Sequence, residues 1–348
     1  MNKSKNFAAL ALCVVLGITL PSCTKQKEAG NTITIWTYDS FVSEWGPGDN
    51  IASRFKEKTG IAINWEGVDD AGVLVSRLLL EGDGAKADIV LGIDQNLSER
   101  ALKTGLFEDY TPKTAENLLA QIANLDFKLI PFDYSYFSII YDSEKIQNPP
   151  QSLEDLTKPE FKRSLILLDP RSSSPGLGFL AWTEAVYGRE SVSLPNGVSG
   201  TTIPAYLDYW SRLKPSILTI AEGWSSGYGL FTKGEAPLVL SYTTSPAYHI
   251  EYEQTERYRA AVFEGGHPIQ IELAGLLKNA PNKEAAKTFL DFMLMEDFQE
   301  TIPLGNWMYP VIECKLPPSF TATQKPQHIL SAVQITDADL DDWVKTMN

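Results

Sequence analysis

TITIWTY (Thr32–Tyr38) alternates apolar and polar residues as a strand does, and DIVLGI (88–93) is a short apolar run bounded by charge. Between them, VLVSRLLL (73–80) has helical spacing directly after Asp69-Asp70. Strand, helix and strand in that order predict a βαβ unit, and hence a parallel sheet. The pattern returns further on: 164–168 is an apolar run, 178–187 is helical in spacing, and 237–242 again reads as a buried strand. Two α/β lobes therefore fit better than one. Residues 283–299 read as one amphipathic helix with Phe289, Phe292, Met293 and Phe298 on its apolar side. No internal repeat or low-complexity tract interrupts the chain.

Working outward to the amino terminus, Lys3 and Lys5 precede an apolar stretch over 7–20 that stops at Leu20-Pro21-Ser22-Cys23. This is the layout of an export leader, removed from the mature protein and no part of the fold. The final tetrapeptide resembles a lipobox, which makes Cys23 the lipidation site, although Pro21 is unusual there and an ordinary cleaved leader with an incidental Cys23 is the alternative. Residues 24–31 are polar and aperiodic, as a tether is. No other stretch has the ~20 apolar residues of a spanning helix, so membrane contact is expected through the lipid alone. The chain carries 30 basic and 44 acidic residues, and loss of Lys3 and Lys5 takes the net charge from -14 to -16. Such a surface repels nucleic acid and anionic headgroups and tolerates a cationic small ligand. With Cys13 in the leader and Cys23 acylated, Cys314 has no disulfide partner, and His249, His267 and His328 lack metal-ligand spacing. No metal and no cofactor are expected. About 320 mature residues exceed one ordinary core, so two domains are the expectation.

In open parallel sheets ligands lie beyond the carboxyl ends of the strands, where loops enter helix amino termini. Three such junctions stand out. Ser174-Pro175-Gly176 and Ser245-Pro246-Ala247 each put a hydroxyl residue at an N-cap and proline at the first helical position. Each is expected to leave free N–H groups at the positive end of a helix, which suits an anion or a hydroxyl. Asp69-Asp70-Ala71 places carboxylates at the third. Plain helix capping accounts for all three equally well. Aromatics crowd the same places: Trp36, Tyr38, Phe41 and Trp45 after the first strand, Trp224 and Tyr228 before a late one, and Tyr242 and Tyr248 around Ser245. Loop aromatics beside aspartates form a cage for a flat cation.

At these junctions the sequence resembles the thiamine-binding periplasmic proteins, a branch of the type II solute-binding fold. The matching strings are TYDSFVSEWGPG (37–48), KADIVLGIDQNL (86–97), KTGLF (103–107), PFDYSYFSIIYDSEKIQNPPQSLEDL (131–156), DPRSSSPGLGFLAW (169–182), GWSSGYGLFTKGEAPLVLSYTTSPAYHI (223–250) and IPLGNWMYPV (302–311). The resemblance implies an α/β, two-lobed type II periplasmic-binding protein fold with a ligand cleft between the lobes. It implies an exported, lipid-anchored, monomeric component of an ABC importer in the cell envelope, which binds thiamine or a thiamine phosphate, hands it to a membrane permease and performs no chemistry. The division expected is a leader over 1–22, a tether over 23–31, lobe 1 over 32–134, lobe 2 over 135–250, a return to lobe 1 over 251–300 and a carboxyl-terminal segment, 301–348, packed on lobe 2. A hinge is expected within 131–138. The family's ligand contacts carry over to Asp70, Ala71, Ser173, Ser174, Trp224, Tyr242, Thr243, Thr244 and Ser245, with Tyr38, Trp45, Asp94 and Trp307 as a second tier. Trp224 and Tyr242 would face the rings, Asp70 a ring donor or the positive charge, and the serines the hydroxyethyl arm. Ala71 stands where the family has glycine, and 189–215 and the chain beyond 311 match poorly.

Two rivals remain. A ferric-ion or polyamine ligand is possible on the same fold, although no Tyr-Tyr pair occurs in the sequence. A hydrolase is the enzymatic alternative, because Gly223-Trp224-Ser225-Ser226-Gly227 satisfies G-x-S-x-G and His249 and His267 follow it as bases. The helix such an elbow needs is expected to have little room before the strand near Pro237.

Overall fold

The computed structural model describes residues 31–125, 128–193 and 202–348. The leader, Cys23 and all of the tether but Asn31 lie outside the described residues.

Strand β1 (Thr32–Tyr38) leads through α1 (Asp39–Val42) and α2 (Gly48–Thr59) to β2 (Ala62–Val68), and α3 (Ala71–Glu81) leads on to β3 (Ile89–Asp94). Strands β1 and β3 are parallel neighbours, as expected, but β2 also flanks β1, so the opening unit has one more strand and two more helices than its reading supplied. Half-exposed AINWEGV is an edge strand, and partial burial blurs the polarity alternation by which strands are recognised. Helix α4 (Gln95–Leu102), β4 (Phe107–Glu108) and α5 (Ala120–Ala123) precede the 13-residue β5 (Ile130–Asp142).

The second half repeats the scheme with β6 (Leu165–Leu168), α6 (Ser174–Tyr187), the hairpin β7 (Ser191–Ser193) and β8 (Thr202–Pro204), α7 (Ala205–Leu213), β9 (Ile217–Ala221), α8 (Trp224–Thr232) and β10 (Leu238–Tyr242). Then come α9 (Pro246–Tyr252), β11 (Tyr258–Ala261), β12 (His267–Leu277), α10 (Lys283–Met293), α11 (Glu296–Gln299), α12 (Ile302–Gly305), β13 (Tyr309–Pro310), β14 (Ile329–Leu330) and α13 (Asp337–Met347). The helix expected over 283–299 is two. Gln299 Nε2 donates to the carbonyl of Met293, so the first helix ends on a side-chain partner instead of propagating.

The strand order is β2-β1-β3-β12-β5-β10-β6-β9. β5 joins the two halves: Ile130 to Tyr136 pair with β12, whereas Phe137 to Asp142 pair with β10 and β11. One hydrophobic core packs β1, β3 and β12 against α2, α3 and α10, and it takes in Ile302, Val311 and Phe320. A second packs β6 and β10 against α6 and α7 and takes in Trp343 of α13. No described helix is long and apolar enough to cross a membrane.

Candidate ligand-binding site

Parallel strands from both halves point their carboxyl ends at one place. β1 ends at Tyr38, β2 leads to Asp69-Asp70, β6 to Ser173-Ser174, β9 to Trp224 and β10 to Tyr242. The cavity between them has a volume of about 360 Å³. Its wall holds the aromatics Tyr38, Trp45, Trp224, Tyr228, Tyr242, Tyr248 and Trp307, the acids Asp39, Asp69, Asp70 and Glu272 and, among the described residues, no Lys, Arg or His.

Asp70 joins the two halves. Its Oδ1 accepts the N–H of Ala71 at 2.7 Å and of Ser174 at 3.0 Å, and its Oδ2 accepts the N–H of Trp224 at 3.0 Å. One carboxylate thus satisfies the amino termini of α3, α6 and α8, where the helix dipoles favour negative charge. It is 6% exposed, and burial raises its pKa while the N–H bonds pull it back. The free N–H groups expected at the Ser174 junction are therefore not free, because the chain supplies its own anion. The cap of α6 is Ser173, whose Oγ accepts from Gly176 N at 3.5 Å, rather than Ser174. At the other Ser-Pro junction, Ser245 makes no cap bond; its hydroxyl pairs with Ser241 Oγ at 2.8 Å.

The aromatic wall is braced from behind. Trp224 stacks on Tyr228 at 4.9 Å and 16°, and its Nε1 donates to Ser241 Oγ at 2.8 Å. Tyr228 OH meets His249 Nε2 at 2.8 Å, and His249 Nδ1 meets Glu253 at 2.8 Å. Burial lowers the His249 pKa, so the buried ring is neutral and fixed by two partners. Trp45, 46% exposed, lies 6.2 Å from Trp224 across the mouth. Trp307 packs edge-on to Tyr248 at 5.3 Å and holds φ at 57°, a left-handed conformation that a bulky residue keeps only under constraint.

The floor is acidic. Glu272 of β12 stands directly across from Asp94 of β3 on one side and Asp133 of β5 on the other. The β12–β5 ladder slips directly after Glu272, at Phe132, and the β12–β3 ladder slips one residue further on, at Gly92 (φ 102°); the resulting register sets the three carboxyls in one row. Tyr38 OH donates to Glu272 Oε2 at 2.6 Å. Asn306 Nδ2 reaches Asp133 Oδ2 at 2.7 Å and Glu272 Oε2 at 3.3 Å. Burial, reinforced by the Asp133 charge, raises the Glu272 pKa well above the usual carboxylate range.

Of the expected contacts, Asp70, Ser174, Trp224, Tyr242, Ser245, Tyr38, Trp45 and Trp307 line the cavity. Ala71, Ser173, Thr243, Thr244 and Asp94 do not. Ala71 is covered at the first turn of α3, Thr244 Oγ1 is paired with Ser135 Oγ at 2.9 Å, Thr243 is fully buried, and Asp94 caps α4 through Leu97 N at 3.0 Å. Glu272, Asn306 and Met308 line the wall and were not anticipated. A lone acid inside the apolar run of β12 was the available signal for Glu272.

The elbow pattern has more room than expected, since α8 runs for nine residues straight after β9. Ser225, however, lies inside that helix, and its Oγ donates to Asp39 Oδ1 at 3.0 Å. Both nitrogens of His249 and of His267 are engaged elsewhere, those of His267 by Phe137 O at 2.7 Å and Phe263 N at 2.6 Å.

The profile of the bacterial extracellular solute-binding proteins matches residues 84–344. The thiamine-binding periplasmic protein of Brucella suis is 42% identical over 308 residues, covering 87% of this chain and 86% of that one. Its counterpart in Escherichia coli K12 is 42% identical over 305 residues, covering 87% and 88%. A solved periplasmic thiamin-binding protein superposes with a TM-score of 0.82 at 38% identity, covering 92% of this chain and 97% of that one. The architecture is accordingly the two-lobed type II one, and the chain belongs to the bacterial extracellular solute-binding proteins, among the thiamine-binding periplasmic proteins.

Proposed function

We propose that this protein captures thiamine, or one of its phosphate esters, outside the cytoplasm and delivers it to an ABC permease without altering it. It acts as a monomer tethered by lipid on Cys23, on the periplasmic or outer face of a membrane. The observation that carries the reading is the cavity's composition, which among the described residues is seven aromatic side chains and four carboxylates with no Lys, Arg or His. Thiamine is a flat, permanently cationic thiazolium joined to an aminopyrimidine, and a cation held over aromatic faces beside carboxylates is stabilised by both. Closure about the point where β5 changes partners would bury it.

Titration calorimetry of ligand-stripped protein tests this, with ferric ion and spermidine as comparison ligands. A desolvated cation on an aromatic face gains on the order of 2 kcal/mol, and ~1.4 kcal/mol is one decade of affinity. Trp224→Ala is therefore expected to weaken thiamine more than tenfold while the melting temperature of the empty protein holds. Wild-type affinity in an early-melting variant would return Trp224 to the core, and absence of thiamine binding by the wild type would refute the reading.

A further inference from the structure

Glu272 lines the cavity with Asp94 and Asp133 behind it, and among the described residues the wall offers these acids no counter-ion. Asp94, Glu272 and Asp133 come from three adjacent strands and sit in directly opposed positions, an arrangement in which like charges repel. Asp133 is fully buried and Glu272 is 5% exposed. Asn306 Nδ2 serves both, Glu272 also accepts Tyr38 OH at 2.6 Å and Gln270 Nε2 at 3.2 Å, and Asp133 Oδ1 has no donor among the described residues. The groups facing the pair are Tyr38 from β1, Asp94 from the end of β3, Gln270 of the same strand, Tyr242 from β10 and Asn306, and none is a cation. Burial raises the pKa of both carboxyls, and the Asp133 charge raises that of Glu272 further, which favours one proton held between them.

We propose that Glu272 is the counter-ion of the bound cation and gives up that proton when the cation arrives. The exchange balances: a neutral carboxyl and a cationic ligand become a carboxylate–cation pair and a proton taken by the solvent, with no bond made to the ligand. Binding then selects for permanent positive charge, because a neutral molecule of the same shape finds a neutral acid and gains nothing from it. Mass action makes the affinity rise with pH, by up to about tenfold per pH unit where the proton is fully held in the empty protein. The inference rests on the cationic ligand proposed above.

Two measurements decide it. Titration of the stripped protein with thiamine at neutral pH, in buffers of different ionisation enthalpy, is expected to show a substantial fraction of one proton released per ligand. Glu272→Gln, which keeps shape and hydrogen bonding, is expected to release none, to bind at least tenfold more weakly and to lose the pH dependence. Undiminished release in that variant, or none in the wild type, overturns the proposal. Carbon-13 NMR of the Glu272 carboxyl in wild-type protein supplies the second measurement and needs no variant: a protonated shift is expected in the empty protein and a carboxylate shift once thiamine is added. A carboxylate shift before any ligand overturns the proposal. If thiamine gives no heat at all, the ligand reading falls, and the empty-protein spectrum still decides where the proton is.

Discussion

Asp94 holds two roles that conflict. Its carboxylate caps α4, accepting Leu97 N at 3.0 Å and Asn96 Nδ2 at 2.8 Å, yet it is fully buried, and burial pushes its pKa from 3.8 up to about 7. Between those two values the folded chain holds a proton that the unfolded chain has lost, so this residue's contribution to stability falls as pH rises through the window. Asparagine caps as well as aspartate does and carries no charge to desolvate. Asp94→Asn is therefore expected to raise the melting temperature by several degrees at pH 8 and to leave it nearly unchanged at pH 4, which scanning calorimetry at the two values would read. An equal gain at both would assign the effect to packing. His267 works in the opposite sense: burial holds its pKa down to about 4 from 6.5, so its neutral, doubly bonded form stabilises the fold above that window and is lost on acidification.

At the scale of elements, the feature that matters is how closely α3 approaches the loop before α6. Gly72, in the first turn of α3, lies against Ser172, and a Cβ there would press into the carbonyl of Ser172. The same approach sets Asp70 within hydrogen-bonding distance of Ser174 N and Trp224 N. Gly72→Ala favours the isolated helix, by about 0.5 to 1 kcal/mol for a helix interior, and opposes only the meeting of the two halves. Thiamine affinity is expected to drop at least tenfold with no loss of melting temperature in the empty protein. Small-angle scattering of the ligand-saturated variant should give a larger radius of gyration than wild type. Unaltered affinity would mean that the contact does not govern closure.

For the whole molecule, the long strand β5 is the shared spine, belonging to one half-sheet up to Tyr136 and to the other from Phe137. Under the proposed role, a body of this kind, with its acidic cavity on the joint between the halves, would need only a tether to stay beside a permease. Cys23→Ala is expected to release the mature protein from the membrane fraction with thiamine affinity intact, because the change lies outside the folded body. Equal retention of the variant on membranes, scored by fractionation and immunoblot, would remove the lipid anchor from the account.

Local periodicity was enough to read β1, α3 and β3 from TITIWTY, VLVSRLLL and DIVLGI, and to find the Asp70, Ser174 and Ser245 junctions, since strand alternation, helical spacing and capping are properties of neighbours in the chain. It did not supply β2, whose edge position blurs its pattern, nor the end of α10, which depends on a bond from Gln299. The chemistry of the site was decided further from the sequence. Asp70 meets Ser174 and Trp224 across 104 and 154 residues, and Glu272 faces Asp94 and Asp133 only because two bulges set the register of three strands from distant parts of the chain. Register between remote strands arises from long-range packing that no local period encodes, so the sequence alone determined which residues could reach a junction, and the tertiary structure decided which of them share a cavity and which acids face one another.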